Sequence, residues 1–205
     1  MNQPFADSSH PLAKALNALV HQRLLLLLPG WLDASSCKEL LRQLQSCPTS
    51  PAEAESYGAN AQARRTQMLD VPASIESGMV SRFEPLAAQL GSHFGLTIGS
   101  HERPQFLKYG PGDFFSAQRD RIDAPVYRER RLSLVLFLND HESQPGFAGG
   151  RLSLFVKHPQ DPEKLMGVPI PPAAGLLMAF DSRLLHEVTP VTAGERFTMV
   201  TWLAV

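Results

Sequence analysis

The second half of the chain consists of short runs of strand-forming residues, and this feature constrains the fold most strongly. The runs are 104–109, 131–138, 151–156, 176–180 and 196–203. Glycine, proline, asparagine and aspartate separate them, and no helical pattern lies between them. Evenly spaced short strands without intervening helices favour an antiparallel sandwich or jelly roll. Residues 159–172 are rich in proline, and we expect a loop there.

Two of these runs show strand alternation clearly. In the run 131–138, all the even-numbered positions are leucine, and the other face carries Arg131, Ser133, Val135 and Phe137. In the run 196–203, one face carries Arg196, Thr198, Val200 and Trp202. Side chains of a strand repeat every two residues, so the members of each set point the same way.

The first half of the chain has a mixed pattern. Apolar residues with helical spacing predict a helix from Leu12 onward and another over residues 83–94. Ser36 and Glu39 have the spacing of a capping box, which predicts a third helix, between the two just named. Residues 24–28 and 64–71 read as strands. The expected fold class is therefore mainly β with N-terminal helices (α+β), with the helices bracing one sheet.

Length and charge narrow the function further. A chain of 205 residues suits a single domain, here a support region over 1–103 and a β core over 104–205. The net charge of −1 gives no reason to expect nucleic acid or a membrane as a partner. Cys37 and Cys47 match no zinc pattern and are expected to be reduced thiols. No secretion signal opens the chain, so a cytoplasmic location is expected.

Asp120 and His186 are the candidate metal ligands. Taken singly, each has an ordinary interpretation, as a solvated loop carboxylate and as a structural histidine. They are far apart in sequence and can meet only if the chain doubles back, as it does in a jelly roll. Iron(II) chemistry with dioxygen needs a few nitrogen and oxygen ligands on one side and open positions on the other. Arg196 lies ten residues after His186, Thr198 two residues after Arg196, and Tyr109 on an earlier strand; together they offer donors for a carboxylate.

The order of these motifs resembles a known family. The matching stretches are QFLKYGPGDFF (105–115), RRLSLVLFLND (130–140), FAGGRL (147–152), PAAGLLMAF (172–180), HEVTPVTAGERFT (186–198), Trp202 and the earlier LPGWL (28–32). Residues 104–205 are similar to the catalytic core of prolyl 4-hydroxylase-like Fe(II)/2-oxoglutarate-dependent oxygenases. The resemblance implies a double-stranded β-helix (jelly roll), with Fe(II) held by Asp120 and His186. It also implies 2-oxoglutarate as co-substrate, bound by Arg196 with help from Tyr109 and Thr198, and ascorbate as an accessory cofactor.

Position 118 departs from the family pattern, because Gln118 stands where members carry the first histidine of His-x-Asp. In one interpretation the amide oxygen of Gln118 completes a metal site with Asp120 and His186. In another, Gln118 does not touch metal, and the protein is an inactive relative that binds a ligand or a protein partner. A third has a more distant histidine replace the missing ligand; the candidates are His101, His141 and His158.

The sequence says less about the substrate. Arg119, Arg121 and Arg130 cluster near Asp120, and with Trp202 they are weak candidates for contacts to an anionic substrate. The alternative is a solvated loop with internal ion pairs. By resemblance, the reaction is hydroxylation of an aliphatic C–H bond. The substrate would be a prolyl residue or a small amino-acid-like metabolite, free or in a peptide. The sequence leaves open whether the protein forms a homodimer.

Overall fold

The computed structural model describes residues 10–52, 64–125 and 127–205. Its helices all come from the first half of the chain: α1 (Pro11–His21), α2 (Ala34–Leu44), α3 (Ala73–Phe83) and α4 (Leu86–Phe94). The strands of that half are β1 (Leu25–Leu28), β2 (Thr49–Pro51), β3 (Arg64–Arg65), β4 (Gln67–Leu69) and β5 (Ser100–His101). The remaining strands are β6 (Gln105–Tyr109), β7 (Phe114–Gln118), β8 (Leu132–Phe137), β9 (Phe147–Gly149), β10 (Leu152–His158), β11 (Asp161–Ile170), β12 (Leu177–Asp181), β13 (His186–Val188), β14 (Val191–Gly194) and β15 (Arg196–Ala204).

These strands form two main antiparallel sheets. The major sheet has the order β1-β12-β8-β15-β6-β4-β2, with β5 also paired to β15. The minor sheet has the order β11-β10-β13-β7-β3, and β9 pairs with β14 in a small separate ladder. Strands that follow one another in the chain repeatedly fall in different sheets. The predicted class, mainly β with N-terminal helices and a double-stranded β-helix, is confirmed.

Two apolar clusters follow from the alternation of the central strands. The first fills the space between the sheets and includes Val135 and Phe137 of β8 with Leu154 and Val188 of the minor sheet. The second lies between the major sheet and the helices α2, α3 and α4, and it buries the leucine face of β8. A fully buried leucine side chain contributes roughly 1.5–3 kcal/mol, so this face anchors the helices firmly. Helices α2, α3 and α4 brace the major sheet, as predicted, whereas α1 packs with the first cluster near β1 and β11.

The loop predicted for 159–172 is wrong. Asp161–Ile170 forms the ten-residue strand β11, paired along β10. Proline cannot donate to a sheet ladder and is therefore confined to edges and irregular positions. β11 lies at the edge of the minor sheet, and this position accommodates Pro162 and Pro169.

Helix boundaries also differ from those predicted. Asp33 caps α2 by accepting a hydrogen bond from the Ser36 backbone, so Ser36 lies inside the helix and is not its cap. The helix predicted over 83–94 is α4, which begins at Leu86, and Phe83 is the last residue of α3, a helix that was not predicted from the sequence. Pro85 lies between them and cannot donate the backbone hydrogen bond that a continuous helix needs. No helix in the described ranges is long and apolar enough to cross a membrane.

The strand predicted over 64–71 divides between the two sheets. Arg64 and Arg65 pair with β7 in the minor sheet, whereas Gln67–Leu69 lies between β2 and β6 in the major sheet. Thr66 lies at the crossing, buried, and its hydroxyl donates a hydrogen bond to the Lys108 carbonyl. This crossing places Arg64 beside the strand that carries Gln118.

Candidate active site

Gln118 and His186 are direct partners across adjacent antiparallel strands, β7 and β13. The register shifts between His186 and Val188, because Val188 pairs with Phe115 and not with the residue two positions from Gln118. This irregularity is a β-bulge, which redirects side chains and is frequent beside active sites. Paired residues of an antiparallel ladder place their side chains on the same face. The ladder therefore brings Gln118 to the face of His186.

The imidazole of His186 is held from several directions. Its Nδ1 lies 3.1 Å from the Leu184 carbonyl oxygen, which can only accept, so Nδ1 carries the proton. The lone pair of the neutral ring is therefore on Nε2, the form that a metal binds. Phe115 stacks on the ring with centroids 5.4 Å apart, and Phe180 meets it edge-on at 5.0 Å.

Asp120 faces the same nitrogen. Its Oδ2 lies 3.6 Å from His186 Nε2, too far for a hydrogen bond. Atoms that share a transition metal at about 2.1 Å each are on the order of 3 Å apart. The Ser133 hydroxyl donates to Asp120 Oδ2 at 2.6 Å and also lies 2.9 Å from the Ser182 hydroxyl. Nitrogen and carboxylate oxygen side by side, one already oriented by a hydroxyl, suit a divalent metal.

A third ligand of the usual type is missing. Within the described residues, no three histidine, cysteine, aspartate or glutamate side chains come together to hold a metal ion. The three histidines considered as replacements are engaged elsewhere. His101 Nδ1 lies 3.1 Å from the Glu102 carbonyl, His141 Nδ1 lies 2.7 Å from the Phe147 carbonyl, and His158 Nδ1 accepts from the Gln160 backbone. The pairing of β7 with β13 leaves the amide of Gln118 as the candidate third metal ligand.

Arg196 lies inside the β-helix with almost no solvent exposure, 1%. Its guanidinium carbon lies 5.0 Å from the centre of the Tyr109 ring and 5.4 Å from that of Phe137, and Nη1 donates to the Thr198 hydroxyl at 3.4 Å. Tyr109 and Thr198 are themselves buried, so the three predicted co-substrate residues meet in one place. β15 pairs with β6 and brings Tyr109 opposite Arg196.

Two guanidinium nitrogens of Arg196, Nε and Nη2, are buried and have no hydrogen-bond partner among the described residues. Burial lowers the pKa of this guanidinium, because loss of water disfavours the cation, and the electrostatic effect of Tyr109 acts in the opposite direction. A buried cation with unused donors is costly unless an anion pairs with it. The residues therefore fit a carboxylate, which can accept both donors at once.

Gly150 makes room for Arg196. It has a positive φ of +57°, and a side-chain carbon there would lie 3.0 Å from Arg196 Cδ and 2.9 Å from Val191 Cγ2. Only glycine adopts this conformation readily and leaves that space. The glycine pair in FAGGRL thus has a physical role in the shape of the anion pocket.

Of the three arginines proposed for substrate contacts, Arg119 and Arg130 have side chains that bind other groups of the protein. Arg130 forms two hydrogen bonds with Glu102, at 2.6 and 2.7 Å, and its guanidinium carbon lies 3.7 Å from the centre of the Trp202 ring. The side chain of Arg119 donates to the Arg183 carbonyl, and the backbone of Arg121 donates to the Ser182 carbonyl. Arg130 therefore forms the internal ion pair expected as the alternative to a substrate contact. Substrate contacts by Arg119, Arg121 and Trp202 stay predictions.

Sequence reasoning missed three residues of this region. Ser133 and Ser182 orient Asp120, and Arg64 lies over Phe115 with its guanidinium carbon 5.7 Å from the ring centre. A usable signal existed only for Ser133, a polar residue on the inward face of an alternating strand. Ser182 and Arg64 reach the site through pairings that local patterns do not show.

Comparison with known proteins places the chain among oxygenases. Residues 104–204 match the model of the 2OG-Fe(II) oxygenase superfamily. A PKHD-type hydroxylase of Shewanella oneidensis is 33% identical over 147 residues, which are 68% of this chain and 60% of that protein. A PKHD-type hydroxylase of Hyphomonas neptunium is 40% identical over 100 residues, 46% of this chain and 39% of the relative. The chain thus spans about three fifths, or less, of the length of these curated relatives.

Solved structures give the same fold at lower identity. A prolyl-4-hydroxylase of Pseudomonas putida superposes with a TM-score of 0.68 at 22% identity, covering 94% of this chain and 98% of that one. A prolyl hydroxylase of Trichoplax adhaerens, in complex with a peptide fragment of the hypoxia inducible factor oxygen degradation domain, gives 0.71 at 19% identity. This match covers 91% of this chain and 86% of that one.

Proposed function

The chain belongs to the 2OG-Fe(II) oxygenase superfamily, and on this basis we propose that it is a Fe(II)/2-oxoglutarate-dependent dioxygenase that hydroxylates an aliphatic C–H bond. The observation that carries the proposal is the guanidinium of Arg196, buried with two unpaired donors beside Tyr109 and Thr198. A protein that had abandoned its co-substrate would gain by replacing such a buried cation with an apolar side chain.

We assign the metal to Gln118, Asp120 and His186. Glutamine is neutral like imidazole, so the exchange leaves the charge of the metal site unchanged. Its amide oxygen is a harder and weaker donor for iron, so we expect lower metal affinity than with histidine. When bound, iron and 2-oxoglutarate would supply the oxidation with dioxygen as the oxidant: one oxygen atom of dioxygen would enter succinate as 2-oxoglutarate loses carbon dioxide, and the other would become the hydroxyl group of the substrate.

The protein's own residues prepare this site. The Leu184 carbonyl fixes the His186 tautomer, and the Ser133 hydroxyl holds one oxygen of Asp120. Arg196 binds the far carboxylate of 2-oxoglutarate, with Thr198 aligned by its contact to Nη1. Phe115 and Phe180 flank the imidazole and keep that side of the metal apolar. Binding, orientation and exclusion of water are the contributions that a protein makes to cofactor chemistry.

The proposed substrate is a prolyl residue or a small amino-acid-like metabolite. Support comes from the relatives, which are PKHD-type hydroxylases and prolyl hydroxylases, one of them bound to a peptide. Fold similarity alone does not fix a substrate. A role for ascorbate, a cytoplasmic location and a homodimer stay predictions.

The role of Arg196 is tested by Arg196→Ala, with exposed Arg103→Ala as the matched control. We expect the first variant to lose 2-oxoglutarate binding and succinate formation while its circular dichroism stays that of the wild type. The control should behave as the wild type, because Arg103 is exposed and pairs with Glu76 at the surface. Calorimetric titration with 2-oxoglutarate and a succinate assay measure both. Unchanged co-substrate affinity in Arg196→Ala would refute the assignment.

The second candidate, an inactive binding module, is favoured by one observation, the glutamine at position 118. It predicts no succinate above background in the wild-type protein with Fe(II), 2-oxoglutarate and ascorbate. The dioxygenase proposal predicts slow succinate formation even without substrate, abolished in His186→Ala.

A further inference from the structure

In the part of the chain that the structure describes, two guanidinium groups have buried nitrogens without partners, and only the group of Arg196 has an assigned role so far. Among the described residues, the buried side-chain polar atoms that lack a hydrogen bond are Arg64 Nε, Gln67 Oε1 and two nitrogens of Arg196. Arg196 contacts Tyr109 and Phe137, whereas Arg64 contacts Phe115. Because the two guanidiniums contact different rings, one anion does not account for both.

The position of Arg64 follows from the pairing of β3 with β7. Arg64 is the direct partner of Phe115, and Arg65 is the partner of Phe114. Successive side chains of a strand point to opposite faces, so Arg64 shares the face of Phe115 and Arg65 does not. The ring of Phe115 stacks on His186, which belongs to the next strand of the sheet. Arg64 is thus one aromatic ring away from a proposed metal ligand.

Arg65, on the opposite face of β3, has an acidic partner. Its Nε donates to Asp113 at 2.9 Å, and its side chain is 65% exposed. No carboxylate among the described residues forms an ion pair with Arg64, although Arg64 is half-buried. A charged donor removed from water without an acceptor costs free energy comparable to a lost hydrogen bond, so it is retained where a ligand supplies the acceptor.

We propose that Arg64 binds a carboxylate of the substrate, stacked on Phe115 at the edge of the metal site. The inference rests on the proposed function and narrows its substrate class to compounds with an anionic carboxylate near the hydroxylated carbon. That carboxylate comes from a free amino-acid-like molecule or from an acidic side chain of a peptide. The planar fork of arginine suits a carboxylate, and the stacked ring orients the fork.

The test uses matched acids and amides. Anaerobic wild-type protein with Fe(II) and 2-oxoglutarate is titrated calorimetrically with free amino acids and with their carboxamides. A second arm uses blocked Gly-Pro-Glu and Gly-Pro-Gln tripeptides. We expect at least one acid to bind about 10- to 100-fold more tightly than its amide, the range for a hydrogen bond to a charged group. The arm that shows the preference identifies the source of the carboxylate.

The variants are Arg64→Gln, Arg64→Lys and the control Arg65→Gln, each checked for folding by circular dichroism and thermal unfolding. Arg64→Gln should remove the preference for acids, Arg64→Lys should keep part of it, and Arg65→Gln should keep all of it. A preference that survives in Arg64→Gln, or no preference in any pair, would overturn the assignment.

A visible absorption band of the Fe(II)–2-oxoglutarate chelate, recorded first, separates the two failures. If the wild type forms no band, the proposed function fails and the substrate assignment fails with it. If the band forms and acids bind no better than amides, only the assignment of Arg64 is wrong.

Discussion

Gln118 is the residue at which this protein differs most consequentially from the family pattern. Gln118 pairs with His186 across the two strands, so its side chain is on the face where a third metal ligand is needed. An amide oxygen is a weaker donor than imidazole, so the remaining ligands must be well oriented. His186 and Asp120 are both oriented by the protein, through Leu184 and Ser133.

Ser133 is therefore expected to matter for metal binding although it is not a ligand. Ser133→Ala removes the 2.6 Å hydrogen bond to Asp120 Oδ2, and groups that orient a metal ligand typically change affinity about 10- to 100-fold. Anaerobic calorimetry with Fe(II) measures the loss. Ser153→Ala is the matched control, a buried serine of β10 that should leave affinity unchanged. Equal affinity in wild type and Ser133→Ala would show that Asp120 needs no such support.

At the scale of secondary structure, the inward faces of β8 and β15 carry the residues Ser133, Arg196 and Thr198 of the candidate site. The period of two in their sequences predicts which residues share a face, and the structure confirms it by placing the two faces of β8 in different apolar clusters. The bulge in β7 and the crossing at Thr66 could not be predicted, because both depend on the register of a partner strand. The contact between Ser133 and Asp120 joins different elements and leaves no local pattern either.

Gly150, which follows the last residue of β9, offers a test at this scale. Gly150→Ala would place a carbon 3.0 Å from Arg196 Cδ at a φ that disfavours alanine, so we expect about tenfold or more weaker binding of 2-oxoglutarate. Gly78→Ala is the control, since an added carbon there meets nothing within 4 Å. Within α3 it should raise stability by roughly 0.5–1 kcal/mol. Unchanged co-substrate affinity in Gly150→Ala would mean that Arg196 does not depend on this space.

At the scale of the whole molecule, both halves of the chain build the site. The matched oxygenase region begins at residue 104, yet β3 of the first half lies beside β7 and adds Arg64 to its face. Helices α2, α3 and α4 pack against the far side of the major sheet and support β8 and β15 from behind. The resemblance in the second half predicted the fold and the residues Asp120, His186 and Arg196. The contribution of the first half to the site emerged only from the pairing of strands.

The most direct test of the central claim is an anaerobic titration of wild-type protein and Gln118→His with Fe(II) and 2-oxoglutarate, followed by visible absorption. The account predicts that both proteins develop the weak charge-transfer band of the chelate, and that Gln118→His does so at lower iron concentration. The variant restores the usual imidazole donor. A band that forms at lower iron concentration in the variant shows that the pocket is correctly folded and that Gln118 weakens metal binding. Absence of a metal-dependent band in the wild-type protein, whether or not Gln118→His develops one, would contradict the account.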